Sequence, residues 1–285
     1  MKTILMLTDF SENATYAVKS ATILVEKLHA DILLYNTYYD HPVMPSYAGG
    51  PWVVEEFVFR KDNSTGQLSQ LAIQLRHIIT DLSKDGFKPK TDYQSGEGAL
   101  GHNLSIILKE KDIEFIVIGV SSHSNLEHLF FGNDTMDVIN HSSRPVLIIH
   151  PKAGLKKLKK VTLATAFELA DINAINYLIE LGKAFSFQLE IAHVSLLEES
   201  EDPVKEKAMH NYINFLKQPN ISYHPIRGKD IVNRLNRLCK ENGSDLLALV
   251  HYQHGFFSNI FKKCTTEKAL LSHHIPLMVI PGDME

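Results

Sequence analysis

The residues best suited to chemistry lie in "GVSSHSNLEHLFFGND", residues 119–134, directly after the apolar run "FIVIG". Glycine lets a backbone approach a ligand closely and take up positive φ. A glycine behind a buried strand and another before a helix can therefore cradle phosphate oxygens on successive N–H groups. Gly119 and Gly132 hold those two places, with Ser121 and Ser122 supplying hydroxyls between them. Asn133 can donate a hydrogen bond and is also a good N-cap for the helix that follows. Asp134 would compete with an anion for the positive end of that helix, unless it serves only as a cap. His123 offers positive charge to a phosphate, although a surface histidine without a role is commoner. The structural alternative is that both glycines serve only a tight strand exit and a helix entry.

Other constellations are weaker. His251 and His254 precede Cys264 and the pair His273 and His274, a set that would bind zinc only if the loop folded back on itself. No C-x-x-C pair supports that, so solvated or hydrogen-bonded histidines are expected and no metal site is assigned. Nucleophile elbows of the G-x-S-x-G type and Walker loops are missing, and no G-x-G-x-x-G follows the first strand. The acidic pairs Glu55–Glu56 and Glu198–Glu199 read as solvated charge, because a working acid/base pair needs a cleft and split pKa values. No catalytic residue is assigned, and the chain is not expected to be an enzyme, with at most slow hydrolysis of a bound ligand.

The elements that must position the glycine stretch come twice. "KTILMLTDFSENATYAVKSATILVEKLHADILLYNTY" and "KKVTLATAFELADINAINYLIELGKAFSFQLEIAHVS" share the order strand, polar turn, amphipathic helix, strand. Thr8 aligns with Thr165, Phe10 with Phe167, Ala17 with Ala174 and Thr37 with Val194. Ser11 or Asn13 can cap the first helix. "GEGALGHNLSIILKEKDIEFIVIG" and "RGKDIVNRLNRLCKENGSDLLALV" repeat a glycine turn, a helix and a buried strand. Each copy closes on a strand opened by proline, Pro145 or Pro276. Strands alternating with helices imply parallel βαβ units and an α/β fold. Two tandem open-sheet domains follow, residues 1–150 and 155–285, joined by the basic linker "KAGLKKLKK". Residues 38–63 of the first copy form an insertion whose opening, rich in proline and glycine, is a loop. Trp52, Phe57 and Phe59 make it a candidate lid or subunit contact, with an ordered excursion packed on its own domain the plainer reading.

The totals agree. At 285 residues the chain has room for two domains, and a net charge of -4 argues against a nucleic-acid binder. No apolar run reaches the roughly 20 residues that span a bilayer, so no membrane association is expected. "MKTILMLTDF" reads as a first strand, not a signal peptide. Cys239 and Cys264 are the two cysteines, which fits a cytoplasmic protein without a disulfide framework.

"ILMLTDFSENATYAVKSA" and "IVIGVSSHSNLEHLFFGNDTMDVINHSSRPVLII" resemble the universal stress protein family in a tandem form, and "LLALVHYQHGFFSNIFKKCTTEKALLSHHIPLMVI" resembles it more faintly. The resemblance implies a Rossmann-like five-stranded parallel sheet flanked by helices in each copy, and pairing of the copies through their last strands as a pseudo-dimer. It also implies a stress-response regulator or sensor that binds ATP, with ADP, AMP and a companion Mg as further candidates. The family's loop is G-x-x-G, nine residues, then G and Ser or Thr; here Ser122 replaces the second glycine and Asn133 the final hydroxyl. The site it implies comprises Thr8 and Asp9 after the first strand, Thr37 after the second, and Gly119, Ser121, Ser122, Gly132, Asn133 and Asp134. Asp9 would meet the adenosine end. The second copy has Ala166, Val250, Gln253, Lys263 and Cys264 at the corresponding places, so it is read as a degenerate, structural or regulatory partner. A homodimer and a further protein partner are compatible with the family. Two rivals are an interaction module with both sites lost, and an adenylating enzyme, which would need a Ser/Gly-rich loop where "TDFSEN" stands.

Overall fold

The computed structural model describes residues 2–38, 52–83, 85–120, 133–151, 153–196, 203–251 and 275–284. Short runs of Ile, Leu and Val bounded by turns become strands: β1 Thr3–Leu7, β2 Asp31–Tyr38, β3 Thr91–Glu97, β4 Ile113–Gly119 and β5 Val146–Ile149. The second copy repeats them as β6 Lys160–Thr165, β7 Gln188–Leu196, β8 Ile221–Gly228, β9 Leu246–His251 and β10 Leu277–Pro281. All ten lie in one sheet of order β3-β2-β1-β4-β5-β10-β9-β6-β7-β8. Within each half the pairs are parallel, and β10 runs antiparallel to β5 with Met278 opposite Leu147. The carbonyls of Pro145 and Pro276 accept from Ile116 and Leu247, so each proline contributes the one backbone bond it can make.

Helices cover both faces. In the first half they are α1 Glu12–Ser20, α2 Thr22–Leu28, α3 Trp52–Leu82, α4 Leu100–Glu110 and α5 Asn133–His141. In the second they are α6 Leu169–Phe185, α7 Pro203–Leu216 and α8 Ile231–Asn242. The first amphipathic helix is divided where the Thr22 hydroxyl donates to the Lys19 carbonyl at 2.7 Å, a side chain competing with the helical ladder. Its counterpart α6 is unbroken.

The insertion reads differently at its two ends. Residues 39–51 lie outside the described residues, whereas Trp52 begins α3. "WVVEEFVFRKDN" holds neither glycine nor proline, so nothing stops a helix that starts just after Pro51 from running through it. Among the described side chains of α3, the core-facing stripe runs through Ser64, Leu68, Leu71, Leu75 and Ile79. The linker is only partly solvated: Leu155 and Leu158 are buried, while Lys156, Lys157 and Lys159 are exposed. Asp245 holds its end by accepting from the N–H groups of Lys159 and Lys160. Among the described residues no helix is long and apolar enough to cross a membrane.

Candidate functional site

The carboxyl end of β1 turns sharply before α1. Thr8 is buried: its N–H donates to the Tyr35 carbonyl, and its Oγ1 accepts from Phe10 N–H at 3.0 Å. Phe10 has φ of 63°, a left-handed conformation that costs a non-glycine residue about 1–3 kcal/mol and tends to occur at functional sites. Asp9 is exposed; one oxygen accepts from Ser11 N–H at 3.0 Å, and the carboxylate stands at the strand end where it can meet a ligand. Ser11 then caps α1 by accepting from Ala14 N–H at 3.2 Å.

The turn is tied down from below. Asn36, buried at the end of β2, donates to the Thr8 carbonyl at 2.7 Å and accepts from the Ser64 hydroxyl of α3 at 2.7 Å. One residue further, Thr37 is half-buried and lies opposite Gly96 of β3. Gly119 ends β4, and α1 presses on it so closely that a Cβ there would lie 2.7 Å from the Asn13 carbonyl oxygen and 2.8 Å from Ala14 Cα. The fold thus brings Thr8, Asp9, Thr37 and Gly119 to one edge. It also gives Gly119 a packing reason of its own. Asn133 is the first residue of α5 and Asp134 is exposed in its first turn, while Ser121, Ser122 and Gly132 lie outside the described residues.

Sequence reasoning missed Asn36 and the strain at Phe10. An asparagine closing the apolar run "DILLYN" was a usable signal; a phenylalanine at positive φ carries none. It also passed over "GEGALG", residues 96–101, a G-x-G-x-x-G between β3 and α4. Such a loop binds pyrophosphate at the helix N-terminus. Here the Asp137 carboxylate of α5 accepts from Gly101 N–H at 2.7 Å, and its other oxygen lies 3.0 Å from His141 Nδ1. The anion position at that helix end is filled from within.

The second copy keeps the backbone of the turn and changes its chemistry. Phe167 has φ of 60°, and its N–H donates to Thr165 Oγ1 at 3.0 Å, as in the first copy. His193 replaces Asn36, its Nδ1 donating to the Thr165 carbonyl at 2.8 Å while its ring stacks on Phe167 at 3.8 Å. Ala166 replaces the exposed Asp9. A fully buried carboxylate, Asp171 of α6, instead accepts from Thr165 Oγ1 and from the N–H groups of Ala166 and Glu168, the latter two at 3.0 Å. Of the histidine set, His251 ends β9 and burial lowers its pKa against the nearby Asp283. His254, Cys264, His273 and His274 lie outside the described residues, and among the described residues no three potential ligands gather into a metal site.

Residues 1–150 match the family model described as the universal stress protein family. The chain belongs to that family. A universal stress protein of Methanocaldococcus jannaschii is 26% identical over 160 residues, which cover 53% of this chain and 96% of that one. Among solved structures, a universal stress protein from Archaeoglobus fulgidus DSM 4304 superposes with a TM-score of 0.72 at 17% identity, covering 98% of each chain. A functionally unknown protein from Pseudomonas aeruginosa PAO1 gives 0.63 at 12% identity, covering 99% of this chain and 92% of that one. At such identities these structures speak for the fold, which extends over both halves.

Proposed function

We propose that the first domain, residues 1–150, binds an adenine nucleotide, ATP by family resemblance, and that the second, residues 155–285, serves it as a structural or regulatory partner. The observation that carries this reading is the exposed Asp9 carboxylate on a strained turn that converges with Gly119 on one edge. The described residues fit the nucleoside end of such a ligand. Asp9 would accept from ribose hydroxyls or the adenine edge, and Thr37 would line the base. Gly119, Ser121, Ser122 and Gly132 would hold phosphates through backbone N–H groups and hydroxyls, with Asn133 and Asp134 at the head of α5. When bound, the nucleotide and any Mg accompanying it supply the state that a stress-response regulator reads. The reading is of a sensor with at most slow ATP hydrolysis, in a cytoplasmic setting.

The packing role of Gly119 favours a second reading, a nucleotide-independent interaction module that keeps its glycine for α1 alone. Mass spectrometry of small molecules released from the purified protein, followed by calorimetric titration with ATP, ADP and AMP, separates the two. One nucleotide per chain is expected. Asp9→Ala then weakens binding by roughly 10- to 100-fold, the worth of one hydrogen bond to a charged group. No released nucleotide and no heat with any of the three would leave the interaction module standing.

A further inference from the structure

We propose that Asp171 is a built-in ligand: it occupies the anion-binding nest of the second copy's strand–helix turn and holds that turn permanently in its filled form. The inference deepens the one-nucleotide reading above and rests on it for its biological meaning, though not for its chemistry. Both copies place their aromatic residue at positive φ and spend the same hydroxyl on its N–H. They differ in where the acid comes from. In the first copy Asp9 reaches Ser11 N–H from the exposed side, and among the described residues nothing accepts from Asp9 N–H. In the second, Asp171 comes from the buried side, and its Oδ2 takes the hydroxyl of Thr165 and the N–H groups of Ala166 and Glu168 together.

Three positions change in concert. Ala166 stands where the first copy has Asp9, Asp171 where it has Ala14, whose backbone packs on Gly119, and Val250, fully buried, where it has Gly119. Alanine against glycine lets α1 sit tightly on β4, and α6 packs less extensively on β9 than α1 does on β4. A capping box accounts for one of the three bonds, since Asp171 is the N3 residue that answers Glu168 N–H. It does not account for Ala166, which lies two residues before that cap. The Phe167–His193 stack lies on the same turn. An anion held by convergent N–H groups in a dry turn is what such nests bind. Here the chain provides it.

The test uses the full-length chain, Asp171→Ala, which installs the first copy's residue, and formate as the probe. In the variant, formate at about ten times its dissociation constant raises the melting temperature by about 3 °C, relative to chloride at equal ionic strength. The backbone amide resonances of Ala166 and Glu168 shift with it. Wild type shows neither response, because the nest is filled. A helix cap alone would leave the Ala166 amide unmoved, and that result overturns the proposal. If the variant does not fold, hydrogen exchange on wild type decides: slow exchange at Ala166 and Glu168 without any added nucleotide supports the built-in ligand, and exchange at the rate of an open turn refutes it. Failure of wild type to bind ATP would overturn the nucleotide reading while leaving these outcomes intact.

Discussion

Gly119→Ala distinguishes a glycine kept for packing from one kept for a ligand. The added Cβ would meet three backbone atoms of the Asn13–Ala14 turn at 2.7, 2.8 and 3.0 Å. None is the end of a flexible side chain, so α1 or β4 must shift. Overpacking of this kind costs about 1–3 kcal/mol, against a gain of about 0.5–1 kcal/mol for removing a strand glycine. The net loss is about 1–2 kcal/mol, which moves the urea midpoint down by about 0.5–1 M for an ordinary denaturant dependence. Gly66→Ala is the internal control. That glycine lies mid-helix in α3 with nothing within 4 Å of the new Cβ, so its midpoint rises, by about 0.5–1 kcal/mol in stability. Urea unfolding followed by circular dichroism reads both, with ATP calorimetry on the same samples. An unchanged midpoint for Gly119→Ala, together with lost nucleotide binding, would refute the packing argument and return the residue to the phosphate loop alone.

Two further outcomes follow from burial. Tyr35 is buried between β1 and β3, and desolvation, with Tyr38 adding to it, pushes its hydroxyl up to about 12 from 10.0. Because the raised value belongs to the folded state, its contribution to stability is intact below pH 10 and lost as pH rises through 12; Tyr35→Phe therefore flattens the alkaline arm of a stability–pH profile that wild type shows. Cys239 is buried on α8, and burial raises its thiol to about 11, so it resists a thiol-specific reagent in the native protein and reacts once urea unfolds the chain. Peptide mapping of the label checks this, and rapid native labelling at Cys239 would contradict it.

Much of the architecture was legible because its signals are local. "ILML", "DILLY" and "EFIVIG" are short, bounded and apolar, and they became β1, β2 and β4. The repeat of the same strand and helix order in the two copies set the order of everything else. The convergence of the expected site residues was legible where they sit at strand ends, as at Asp9, Thr37 and Gly119. It was not legible where it depends on approach between elements. Glu168 and Asp171 have the spacing of a capping box, which predicts one backbone bond; the reach back to Ala166 depends on how α6 docks beside the end of β6, which no spacing states. The same holds for Asp137, which no spacing rule connects to Gly101, 36 residues away. The length of α3 was hidden by treating residues 38–63 as one insertion when its chemistry changes at Pro51.

The antiparallel contact between β5 and β10 has a directional consequence. Since each half is parallel within itself, reversing one against the other points their carboxyl ends to opposite rims of the ten-stranded sheet. The rim that carries Asp9 and Gly119 is therefore shared with the amino ends of the second half's strands, where the linker enters and Asp245 grips it. Asp171 and its filled turn stand on the far rim. The two halves meet through the β5–β10 pair and through α2 against α6, between the two rims. The sheet therefore has two distinct edges, and the proposed nucleotide site lies on the one where the linker enters the second half.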